Sequence, residues 1–171
     1  SSASNVMDFV QINVGGTATD FGDLASGVNR HMGGSQAHGG LCDGYQGTRL
    51  APTGNTGRGI VMGGYNAPGP TNKIELINIP TEGNSTDFGD MHTAMSFGSA
   101  NSSTTRTIMQ GGYNNALTTE VDQIQYVEHA SQGNGADFGN LLSTRANSAS
   151  TGSCSPTRGL SEGGGAGGSS V

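Results

Sequence analysis

The sequence predicts an all-β fold, and three observations predict it. No stretch of the 171 residues shows an apolar period of 3.6 with helix caps. The apolar segments are short and rich in β-branched and aromatic residues, as strands are. One pattern also recurs three times, which marks a repeat architecture. Asp20-Phe21-Gly22-Asp23-Leu24 returns 67 residues later as Asp87-Phe88-Gly89-Asp90-Met91, and after a further 50 as Asp137-Phe138-Gly139-Asn140-Leu141. With 31 glycines, composition alone leans towards low complexity. The period decides for a folded repeat, and a net charge of −6 is too small for self-repulsion to hold the chain open.

Each element follows from the alignment of the copies. Upstream of the Asp-Phe-Gly element, Met7–Ile12, Ile74–Ile79 and Ile124–His129 align without a gap and read as strands. Gly16, Gly83 and Gly133 follow at one equivalent position, where a turn can take positive φ at no steric cost. Strand, glycine turn and Asp-Phe-Gly strand make a hairpin. Downstream, Arg58–Asn66 aligns with Arg106–Asn114, and Arg158–Gly165 is a third copy weakened by Ser161 and Glu162. Each carries an arginine, an apolar run and a glycine pair: Gly63-Gly64, Gly111-Gly112 and Gly163-Gly164. Ala94–Ser103 and Arg145–Ser153 supply a fourth, weaker strand of small residues. The units of this single repeat domain (1–171) run over about 5–66, 67–114 and 115–171. A polar, glycine-laden insertion at 29–47 is expected to form a surface loop or projecting arm that contacts a neighbouring subunit.

A unit of about 50 residues with four short strands and a double glycine closing one of them resembles the kelch-type β-propeller blade. Kelch blades usually carry a tryptophan, and this chain has none. The repeated phenylalanine, Phe21, Phe88 and Phe138, is expected to fill that packing role, buried at equivalent places. Thr19-Asp20-Phe21-Gly22-Asp23-Leu24 and Gly111-Gly112-Tyr113-Asn114 also resemble the glycine-rich repeats of virion structural and fibre proteins of marine tailed phages, cyanophages especially. That resemblance implies a structural or host-contact role on the particle surface, with partners among other virion proteins and a host surface glycan.

The recurring chemical groups read as architecture. Asp-Phe-Gly is also the metal-binding tripeptide of kinases, but the glycine-rich loop, strand lysine and His-Arg-Asp of that context are missing. Asp20, Asp87 and Asp137 are expected to accept backbone or arginine hydrogen bonds. Arg58, Arg106 and Arg158 are expected to bond carbonyls or those aspartates, rather than form a ring of anion sites. Tyr65, Asn66, Tyr113 and Asn114 recur just past strand ends and are the candidates to face a ligand. His31, His38 and Cys42 lie in one polar segment, in a spacing that matches no structural zinc pattern, and read as solvated loop residues. Gly163, Gly165 and Gly168 satisfy a dinucleotide fingerprint without the helix it needs. No cofactor, metal or catalytic residue is assigned.

The partner classes narrow further. Seven Lys and Arg against 13 Asp and Glu, without a basic cluster, argue against nucleic acid. No apolar run approaches the 18 or so residues of a membrane span. The expected function is a non-enzymatic virion structural protein, a fibre, spike or capsid-surface component assembling as a homo-oligomer. The alternatives are a carbohydrate-binding or adhesive propeller and an extracellular filament subunit of a cell. The chain opens just before the Met7–Ile12 strand and stops at Val171, soon after Gly163-Gly164, so the terminal blade is expected to be split. A second copy giving about six blades, a longer polypeptide or a stacked fibre would complete it.

Overall fold

A computed structural model of the chain describes residues 3–11, 14–35, 57–114, 116–146, 154, 157–166 and 169–170. The fold is all-β, with one single-turn 3₁₀ segment at Ile79–Thr81 and no α-helix among the described residues. Strands β1 (Ser4–Phe9) and β2 (Thr19–Val28) form a two-stranded hairpin. A first four-stranded antiparallel sheet follows, in the order β3 (Met32–Ser35), β4 (Arg58–Met62), β7 (Lys73–Asn78), β8 (Thr86–Asp90). Between its middle strands lies a small hairpin of β5 (Tyr65–Asn66) and β6 (Gly69–Pro70). A second four-stranded sheet runs β9 (Ser99–Ser102), β10 (Arg106–Asn114), β11 (Thr119–Glu128), β12 (Ala136–Asn140). The short pair β13 (Gly165–Ala166) and β14 (Ser169–Ser170) comes last.

The two sheets are copies in register. Ile60 sits opposite Leu76 and Met62 opposite Ile74 in the first, as Ile108 sits opposite Tyr126 and Gln110 opposite Ile124 in the second. All three Asp-Phe-Gly hairpins form as expected, and each carries a register shift beside its phenylalanine. Ala94–Ser103 yields β9, as the small-residue strand predicted. Among the described residues the third inner copy shows isolated bridges, Cys154 with Gly159 and Ala146 with Gly165. Those bridges keep the repeat register: Ala146·Gly165 corresponds to Asn29·Tyr65 and Ser96·Tyr113.

The core lies between the two sheets. Met32, Ile60, Met62, Ile74 and Phe88 of the first sheet meet Ala100, Met109 and Val127 of the second, with Met91 and Met95 from the connecting segment. Each large side chain so buried contributes roughly 1.5–3 kcal/mol. Five of the six methionines are in this cluster, so flexible thioethers make up much of a core that has no tryptophan.

Three expectations need correction. Only Phe88 is fully buried, at 2% exposure, while Phe21 is half-buried and Phe138 is 53% exposed. The reason is that the second sheet covers Phe88, and no further sheet covers Phe138 among the described residues. The inserted segment does not project from its start: Asn29 bridges Tyr65 and Met32–Ser35 is β3, the counterpart of β9. Residues 36–47 of the expected arm lie outside the described residues. The sheets also cut across the sequence units, since the first draws β3 and β4 from unit 5–66 and β7 and β8 from unit 67–114.

Candidate functional site

The recurring residues build the joint between one repeat and the next. The Phe21 carbonyl accepts a hydrogen bond from Gly83 N at 2.8 Å and the Asp23 carbonyl one from Ser85 N at 2.9 Å, while Asp23 N donates to Asn84 Oδ1 at 3.0 Å. The next joint repeats the set: Phe88 O with Gly133 N at 3.0 Å, Asp90 O with Gly135 N at 2.7 Å, Asp90 N with Asn134 Oδ1 at 3.0 Å. The middle glycine of the tripeptide is what lets the turn come this close. A Cβ on Gly22, at φ 143°, would lie 2.5 Å from the Gly83 carbonyl carbon, and one on Gly89, at φ 154°, would collide with the Gly133 carbonyl. Asp20, Asp87 and Asp137 stand exposed, and the bonds between repeats come from Asn84 and Asn134 rather than from their carboxylates. The expected aspartate role is therefore corrected.

A second joint uses the glycine pairs. Gly64 N donates to Met95 O at 3.0 Å and Gly112 N to Arg145 O at 2.8 Å, each reaching the following repeat. A buried polar side chain adds a third tie. Gln125, fully buried, donates from Nε2 to Thr93 O and accepts from Thr93 N, both at 3.1 Å. Its counterpart Glu75 accepts from Ala25 N at 3.1 Å and from the Ser85 hydroxyl. Gln125→Leu should cost about 1–3 kcal/mol by stranding the Thr93 backbone pair, which urea denaturation would measure.

The arginines do not form one set of sites. Arg58 Nη1 donates to the His129 carbonyl across the repeats, a carbonyl contact as expected. Arg106 pairs with Glu128 of its own sheet at 2.9 Å and stacks 4.9 Å over Tyr126. Arg158 is exposed beside the bridge at Gly159. Of the expected ligand-facing residues, Asn114 is buried, and its Oδ1 accepts from Ala116 N at 2.9 Å and Leu117 N at 3.2 Å. It caps a turn and faces no ligand, which corrects that expectation. Tyr65 and Tyr113 are half-buried and pair through their backbones with Asn29 and Ser96, Tyr65 also lying 5.4 Å beneath Arg30. Only Asn66 stands fully open.

His31 lies exposed between β2 and β3, as a solvated loop residue should, and it also lines a groove between the β1–β2 hairpin and the first sheet. It keeps much surface open, yet desolvation within the groove lowers its pKa below the ordinary 6.5. The unfolded chain therefore takes the proton first, and stability should fall slightly as pH drops through 6.5. Comparing urea midpoints at about pH 7.5 and 5.5, with His31→Gln removing the difference, checks this. His38 and Cys42 lie outside the described residues. Among the described residues no three His, Cys, Asp or Glu side chains are grouped to hold a metal ion. No described helix is long and apolar enough to cross a membrane.

What the sequence did not reveal is a half-covered face. The side of the second sheet that corresponds to the core side of the first forms an open groove with the segment Thr157–Leu160, lined by Ile108, Ile124, Phe138, Arg106, Arg158 and Leu160. Phe138 and Leu160 are 53% and 56% exposed. Two acceptors on this groove, Asn101 Oδ1 and Gln110 Oε1, are buried without a hydrogen-bond partner. The sequence signal lay in the copies themselves: Ile108, Ile124 and Phe138 are the counterparts of the buried Ile60, Ile74 and Phe88. No protein-family model matches the chain, and no curated protein is significantly similar to it.

Proposed function

We propose that the chain is a non-enzymatic structural protein of a virion surface, a fibre, spike or capsid-surface component built of kelch-like blades and completed as a homo-oligomer. One observation carries this reading. The phenylalanine, turn glycine and glycine pair that recur in every copy, with the asparagine of two of the three turns, serve the joints between repeats. Such residues specify a stack, and the stack is the product. Its partners are further copies and other virion proteins, with a host surface glycan as the contact at the exposed end. Gold-labelled antibody against the chain should decorate the surface of purified phage particles. Label confined to filaments of a cell would replace this reading with the cellular alternative.

A carbohydrate-binding propeller is favoured by one feature, the open groove lined by Phe138 and Arg106, both of which contact Tyr126, Phe138 edge to face at 5.6 Å. Aromatic platforms flanked by charged hydrogen-bonding groups suit sugar rings. A glycan array distinguishes the two, because a purely structural component shows no saturable glycan.

A further inference from the structure

We infer that the groove on the second sheet is the seat of the β1–β2 hairpin of a second copy of this chain, joined head to tail and in the register of the internal repeats. This deepens the oligomeric reading above and rests on it, but not on the particle location. Each internal joint has an acceptor half and a donor half, and among the described residues one half of each kind is unused. Gly22 and Gly89 pack against the turns of Gly83 and Gly133, whereas a Cβ on Gly139 would meet nothing within 4 Å. Gly83 N and Gly133 N each donate to a phenylalanine carbonyl, and among the described residues the turn glycine whose amide makes no such bond is Gly16, at φ 124°. The glycine pairs agree, since Gly63 and Gly111 crowd Met95 O and Arg145 O of the following repeat and Gly163 is open.

The alignment fixes the contacts. In the first sheet β4 pairs with β7, Arg58 opposite Asn78 and Ile60 opposite Leu76. The counterpart of β4 near the end of the described chain is Arg158–Glu162, and the counterpart of β7 is β1. The register therefore places Arg158 opposite Gln11 and Leu160 opposite Phe9 of the second copy. β1 pairs only with β2 among the described residues, so its other edge is open to strand addition. Ile79 N donates to Gly57 O across the β4–β7 side, so by alternation the Ile77 N–H faces that side, and so does that of its counterpart Val10. Val10 is 56% exposed, while Val127, its counterpart in the second sheet, is 2% exposed inside the core. Burial of Val10 over Ile124 and Phe138 would cover apolar surface at both ends at once. The Gly16 and Ala18 amides would then reach the Phe138 and Asn140 carbonyls, as Gly83 and Ser85 reach Phe21 and Asp23. Such a contact is heterologous, and two copies of three blades close a ring of about six.

Complementation tests this. Val10→Pro removes the outward amide just past the end of β1 without touching the ladder to β2, and Phe138→Asp spoils the groove. Each variant alone should run as a monomer, with self-association weakened by about 100-fold. An equimolar mixture should recover a dimer, because each variant keeps the half that the other has lost. Circular dichroism confirms that each retains its sheets, and Val10→Asp replaces Val10→Pro if it does not. A wild-type chain that stays monomeric at high concentration, variants that still dimerise, or folded variants that fail to pair on mixing would overturn the proposal.

Discussion

Phe88→Ala is expected to destabilise the protein by about 3–5 kcal/mol, whereas Phe138→Ala in the isolated chain should cost about 1 kcal/mol or less. The two phenylalanines hold the same place in the same tripeptide on strands of the same register. What differs is the cover. Phe88 is 2% exposed among Ile60, Met62, Ile74, Met109 and Val127, so truncation leaves a cavity that β-sheet backbones on both sides cannot collapse into. Phe138 meets Tyr126 in an edge-to-face contact and remains 53% exposed. Urea unfolding of the two variants, read at a concentration low enough to keep the chain monomeric, separates burial from sequence. Equal costs would mean that a covering element lies over Phe138 as well.

The second large effect concerns the glycine pair. Gly111→Ala should cost about 2–4 kcal/mol and Gly163→Ala only about 1 kcal/mol, although both glycines adopt nearly the same φ, 60° and 59°. The shared part is the left-handed backbone, which a Cβ strains by about 1 kcal/mol. The added part at Gly111 is a collision, because its Cβ would lie 2.7 Å from the Arg145 carbonyl oxygen of the next repeat. Gly163 has open space there. Thermal unfolding of the two variants measures the difference, and equal losses would show that backbone strain alone governs the pair.

The Asp-Phe-Gly hairpins were legible in the sequence because alternating apolar residues and a turn glycine are local signals. The innermost strands were harder to read for a physical reason. Met32-Gly33-Gly34-Ser35 carries almost no side-chain pattern, since here β3 approaches the second sheet so closely that a Cβ on Gly34 would lie 3.0 Å from Ser102 Cβ and Thr107 Cγ2. Small residues there record close packing, the same property that made the segment look like a loop. The repeated aspartates do not make the bonds their spacing suggests, because spacing reports where a residue lies along a strand and not which groups its neighbours already offer. Asn84 and Asn134, one residue past the turn glycines, had the better geometry. Burial of the third phenylalanine depended on an element that the repeat pattern alone could not supply.

Light scattering on the intact chain at tens of micromolar tests the central claim most directly, that the repeat stack has two complementary open ends. The account predicts a mass of twice 17.2 kDa, falling to 17.2 kDa on dilution or in the Val10→Pro variant. A folded monomer of 17.2 kDa that persists at every concentration, with Phe138 still open to solvent, would contradict it.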